Sequence, residues 1–165
     1  MAEKEHYDAI LKTLSFSLPS TFQGKAHLEV TATSGLTEPI MNAIPVEREI
    51  TFSFMTGRPD IAGVLETRSG KGLLVAEVKE RSPTLKDIYQ IKTYKELLGA
   101  RYAFLFTIGP IEEKVKRLCT RAPAILRSHG DDGYSFLVIA QFFPGTSEFI
   151  DWFPWNPFDV RSYWE

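Results

Sequence analysis

Two strand-length apolar runs, "PDIAGVLE" from Pro59 and "GLLVAEVKE" ending at Glu80, stand on either side of the turn-rich "TRSGKG". Short runs rich in Val, Leu and Ile suit strands, and the Gly and Ser residues between them suit a hairpin or a short loop. The middle of the chain therefore reads as two neighbouring strands. Asp60, Glu77 and Lys79 sit inside these runs, where a charge is costly unless something pairs with it. Residues two apart in a strand share a face, so Glu77 and Lys79 project together with Leu73 and Val75 behind them. Asp60 opens the preceding strand, and pairing of the two runs lets its carboxylate approach Glu77. Two carboxylates brought close favour a shared proton or a divalent cation between them. Lys79 beside them can stabilise a hydroxide or neutralise charge that builds on a phosphate during in-line attack. The competing arrangement is structural: Asp60 caps a turn after Pro59, and Glu77 and Lys79 form an ion pair on an edge strand.

The rest of the chain alternates between the two periodicities. Tyr7, Ile10, Leu11 and Leu14 predict a helix over 3–14, ended by "SFSLPSTFQG". "AHLEVTAT" alternates weakly and is compatible with a short strand, whereas "VEREITFSF" (46–54) alternates well and predicts a strand. "SPTLKDIYQIKTYKELLGA" has helix period, with Leu85, Ile88, Ile91, Tyr94 and Leu98 in one stripe. Ser82 before Pro83, or Thr84 with Asp87, can cap its start, and Gly99 suits its end. "RYAFLFTI" reads as a strand, "GPIEEKVKRLCTRAP" as a helix with acids first and bases last, and "HGDDGYSFLVIAQFF" as a turn and a strand. The expected class is α/β, a mixed central sheet flanked by helices, in one domain over 1–165.

Charge and composition narrow the functional classes. The net charge is -2, yet Arg68 to Arg127 holds thirteen Lys and Arg against six acids. Such a segment is compatible with a face that meets phosphate, and equally with solvated helix faces. The single cysteine, Cys119, can form no internal disulfide and lacks the companions of a zinc or iron–sulfur site. With no signal-like run behind "MAEKEH" and no stretch of membrane-spanning length, a cytoplasmic protein is expected. There is no GxGxxG, no Walker A and no G-x-S-x-G. His27 and His129 lie outside any metal-ligand spacing. Eleven of the 21 aromatic residues fall at or after Tyr134, among them Trp152, Trp155 and Trp164. This extension, 134–165, can pack over the sheet, form a dimer contact or stack on bases.

"RPD" followed by "AEVK" resembles the PD-(D/E)xK, or restriction-endonuclease-like, nuclease superfamily. Gln90 and Tyr94, four apart on one helical face, resemble the Q-x-x-x-Y motif of its RecB-like and lambda-exonuclease-like branch. The resemblance covers about 46–108. It implies an αβββαβ core and a divalent-metal-dependent deoxyribonuclease acting on DNA phosphodiesters. It further implies Asp60, Glu77 and the main-chain carbonyl of Val78 as ligands of Mg²⁺ or Mn²⁺, and Lys79 as the residue that orients the attacking water. Gln90 would contact substrate backbone or the water-positioning network, and Tyr94 would support that helix against the sheet; Gln90, Tyr94 and Lys86 are the substrate-binding candidates. An acid or histidine from the first helix is common in the family, and Glu5, His6, Glu29, Glu47 and Glu49 all remain candidates. No iron–sulfur cluster and no membrane are implied, and a homodimer is compatible. Two alternatives keep the same fold: a module that binds nucleic acid or protein without turnover, and a relative of the nuclease domain of type I restriction motor subunits.

Overall fold

A computed structural model describes residues 2–48, 51, 53–128 and 135–159. β2 (Ile61–Thr67) and β3 (Gly70–Lys79) form an antiparallel hairpin in which Thr67 faces Gly70. Gly70 has φ +118, a backbone conformation that suits glycine in so tight a turn. β1 (Lys25–Val30) is the third strand of the meander, with Leu28 opposite Gly63. A Cβ at Gly63 would stand 2.4 Å from the His27 carbonyl oxygen, so the close approach of β1 requires glycine there.

The slot beside β2 therefore belongs to "KAHLEV", and the strand that alternation predicts over 46–54 does not form among the described residues. Val46–Arg48 is a 3-10 turn, and Val46 and Phe54, the two described apolar positions of the alternation, are 77% and 75% exposed. The Thr51 hydroxyl instead donates to the Leu97 carbonyl, which ties this stretch to a helix. The αβββαβ order is real but begins far upstream of residue 46. It runs α1 (Ala2–Phe22), β1, β2, β3, α3 (Leu85–Leu98), β4 (Tyr102–Thr107), with the four-residue α2 (Glu38–Met41) between β1 and β2. α1 outlasts its predicted end, carrying Pro19 in its final turn while Leu18 stays fully buried.

β3, β4 and β5 (Phe136–Phe143) pair in parallel, and β6 (Glu148–Phe153) returns antiparallel to β5, giving a six-stranded mixed sheet in sequence order. β4 is buried along its whole length, as strands covered on both faces are. One face carries Val75, Ala103, Leu105 and Ile139 under α3 and under α4 (Glu113–Arg121), which contributes Val115 and Cys119. The other carries Leu74, Val78, Phe104, Phe106 and Val138 under the Tyr7, Ile10, Leu14 and Leu18 stripe of α1.

The aromatic extension completes this second face. Phe149 stacks on Phe106 with centroids 4.5 Å apart, and Trp155 meets Phe136 edge-on at 5.1 Å. Phe136, Phe142, Phe149, Trp152, Trp155 and Phe158 thus join this core, Phe143 stays 48% exposed, and Tyr134, Tyr163 and Trp164 lie outside the described residues. No helix among the described residues is long and apolar enough to cross a membrane.

Candidate active site

The site is built where β2 begins and β3 ends. Asp60 is held there by its backbone: its carbonyl accepts the Thr31 and Ala32 N–H groups at 2.8 and 3.1 Å, and the preceding Pro59 carbonyl accepts the Thr31 hydroxyl at 2.7 Å. Its carboxylate is held at both oxygens. The Tyr7 hydroxyl donates to Oδ1 at 2.9 Å, and the Val78 N–H donates to Oδ2 at 2.9 Å. A strand residue sends its N–H and C=O to the same side, so the Val78 carbonyl points to the β2 side, where Asp60 lies.

Glu77 is 2% exposed and projects from β3 toward α3, where Gln90 Nε2 donates to Oε1. Lys79, half-buried, follows two residues on, and so shares that face. Gln90 Nε2 is also 3.4 Å from the Tyr94 hydroxyl. Burial pushes the Tyr94 phenol above its ordinary value, and the negative charges of Glu77 and Asp60 push it the same way, against the Gln90 hydrogen bond and the Lys79 charge. Tyr94 therefore stays a neutral hydroxyl at physiological pH, within the fields of all three charged residues. The backbone at Gly57 closes over it, since a Cβ there would lie 2.9 Å from the Tyr94 oxygen.

α3 is aimed by its cap. Thr84, not Ser82, is the N-cap: its side chain accepts from the Asp87 N–H while Asp87 Oδ2 accepts from the Thr84 N–H and hydroxyl, both at 2.7 Å. Arg81 donates to both Asp87 oxygens at 2.6 and 3.1 Å. Gly99 ends the helix in the left-handed conformation, φ 65. Burial raises the Asp87 carboxyl, but the hydrogen bonds from Arg81 and Thr84 and the Arg81 charge outweigh it and hold the group below its ordinary value. A carboxyl depressed on folding contributes stability above its unfolded pKa of about 3.9, and that contribution fades as pH falls through the lower folded value. Asp87→Asn is expected to cost about 0.5–2 kcal/mol at pH 7, the range of a lost cap. In urea unfolding at stepped pH, its deficit relative to wild type should shrink below about pH 4.

The structure brings together Asp60, Glu77, Val78, Lys79, Gln90 and Tyr94. Lys86 is exposed on the first turn of α3, one turn before Gln90 on the same side. The five upstream candidates fare differently. Glu5 is exposed on α1, and His6 Nε2 lies 3.9 Å from Glu80 Oε1. Glu29 bonds to Thr37 and His27, which hold its carboxyl low, Glu47 is exposed, and Glu49 lies outside the described residues. The contact from α1 to Asp60 comes instead from Tyr7, which its helical spacing marks as core. The bases of the Arg68–Arg127 segment do not all converge on this site. Lys71, Lys95 and Arg101 line, with Arg48, a cleft of about 580 Å³ at the opposite ends of β3 and α3.

Among the described residues, no three His, Cys, Asp or Glu side chains gather as a metal-ligand cluster. Mg²⁺ asks for less, being bound through one or two carboxylates with water and phosphate oxygens completing its shell. Asp60, Glu77 and the Val78 carbonyl are all hard oxygen donors, so the donor set suits such an ion. A carboxylate has about four acceptor positions, so the two donors on Asp60 leave capacity for a ligand bond. No protein-family model, curated protein or solved structure matches the chain.

Proposed function

We propose that the chain is a divalent-metal-dependent nuclease of the PD-(D/E)xK type that hydrolyses DNA phosphodiester bonds. The observation that carries this reading is the seating of Asp60 on the Val78 N–H, which puts a carboxylate beside the Glu77–Val78–Lys79 end of β3. Mg²⁺ or Mn²⁺ held by Asp60, Glu77 and the Val78 carbonyl would supply Lewis-acid polarisation of the phosphoryl oxygens. The Lys79 ammonium orients the attacking water and offsets charge on the phosphoryl group as the water oxygen bonds to phosphorus and gives its proton to solvent, while the bond to the sugar oxygen breaks and that oxygen takes a proton from solvent. Gln90 holds Glu77 in place and, with the neutral Tyr94 hydroxyl, lines the approach to it. Lys86, one turn away on the exposed side of α3, contacts a neighbouring phosphate.

Two features of the setting go with this reading. The single cysteine, Cys119, can form no internal disulfide, which suits a protein of the reducing cytoplasm. Scission of both strands by one site per chain would call for a homodimer.

Incubation of the protein with plasmid and with linear single-stranded DNA tests the reading. Cleavage should require Mg²⁺ or Mn²⁺ and stop on chelation. Tight, metal-independent binding with no cleavage under any divalent ion would replace it with a binding module of the same fold.

A further inference from the structure

The first helix reaches the candidate site through a residue that has two jobs. The Tyr7 ring lies on the buried stripe of α1, and the residue is 5% exposed. Its hydroxyl crosses 53 positions of sequence to donate to Asp60 Oδ1 at 2.9 Å. With the Val78 N–H on Oδ2, each carboxylate oxygen has its own donor, and the two donors come from different elements. One donor leaves a carboxylate free to swing about a single contact. Two donors on opposite oxygens fix its plane, so the orientation of Asp60 is set by how α1 packs on the sheet.

We propose, resting on the cation-site reading above, that Tyr7 is a positioning residue. Its hydroxyl holds Asp60 in the orientation that, with Glu77 and the Val78 carbonyl, receives a hard divalent cation. A phenol in this place donates without adding a negative charge or a ligand of its own. It supplies from the first helix the contact for which Glu5 and His6 are the acidic and basic candidates. Groups that hydrogen-bond a ligating side chain typically control affinity by about 10–100-fold.

Titration of the full-length protein with Mn²⁺, followed by the electron paramagnetic resonance of the free ion, tests the inference without any cleavage assay. Tyr7→Phe keeps the ring and removes the donor, and its Mn²⁺ affinity should fall by about 10–100-fold. A purely structural role would lower the thermal midpoint and leave Mn²⁺ affinity unchanged, which overturns the inference while leaving the site reading intact. Wild-type protein that binds no Mn²⁺ overturns both. A measurement on wild type needs no variant: Mn²⁺ seated at Asp60 must broaden the Tyr7 ring resonances before those of Tyr102, which stands at the opposite end of the sheet's strands. Sharp Tyr7 signals at saturating Mn²⁺ also overturn the inference.

Discussion

Glu77→Gln and Lys79→Met should each lower metal-dependent DNA cleavage by about 10²–10³-fold or more while leaving the protein folded. Glu77 is buried and accepts from Gln90, and Gln at 77 has nearly the same volume and a carbonyl that still accepts that bond. What the substitution removes is the negative charge. Replacing a buried charge by a neutral group that keeps its hydrogen bond spares the desolvation of an ion, so folded stability should hold or rise. Lys79→Met keeps the aliphatic stem and deletes the ammonium, so packing is preserved and the charge proposed to face the phosphoryl group is lost. Turnover on a defined oligonucleotide, with circular dichroism as the check on folding, separates the two effects. Variants that cleave at the wild-type rate would remove Glu77 and Lys79 from the chemistry.

Phe104→Ala should be the most damaging single change to stability, at about 3–5 kcal/mol, the range for emptying a large buried aromatic. Phe104 is fully buried in β4 and stands at the junction of three elements. It stacks on Phe106 of its own strand at 5.3 Å, meets Phe136 of β5 edge-on at 5.5 Å, and lies against Trp152 and Phe158 of the C-terminal segment at 6.3 and 6.2 Å. Pairs at these separations add to area burial, so the loss exceeds that of an aliphatic truncation. Urea unfolding followed by tryptophan fluorescence reads both outcomes at once: a lower midpoint, and a red-shifted native spectrum as the cover over the sheet loosens. A loss below 1 kcal/mol would mean that the aromatic segment does not depend on Phe104. Glu77, Lys79 and Gln90, the proposed catalytic side chains of β3 and α3, lie on the opposite face, so any loss of cleavage by the fraction that remains folded should come through the α1 face, where Tyr7 holds Asp60.

The parts of this molecule that were legible in the sequence are those fixed by local rules. The β2–β3 hairpin follows from two apolar runs around "TRSGKG", and the common face of Glu77 and Lys79 follows from strand parity alone. α3 follows from its stripe and from Gly99, and even the rival N-cap, Thr84 with Asp87, can be named in advance. The misread elements are those decided by competition between distant segments. "VEREITFSF" alternates better than "KAHLEV", but only one of them can occupy the edge of β2, and Gly63 fits the backbone of the latter. Alternation cannot say which segment will find a partner, because that is a property of the assembled sheet.

The contact between Tyr7 and Asp60 was hidden for a related reason. An aromatic at helical spacing looks like core, and in its ring Tyr7 is core, while the use of its hydroxyl depends on a residue 53 positions away. The aromatic extension offers the reverse case. Its composition allows base stacking or packing; most of its described rings pack on the sheet, while Phe143 is exposed.

The claim on which the rest depends is that Asp60 and Glu77 bind one divalent cation between them. Crystals soaked in Mn²⁺ and measured for anomalous scattering test it directly. The expected peak lies about 2.0–2.2 Å from a carboxylate oxygen of each residue and from the Val78 carbonyl, and disappears in Glu77→Gln. A strong Mn²⁺ peak elsewhere, with none between Asp60 and Glu77, would contradict it.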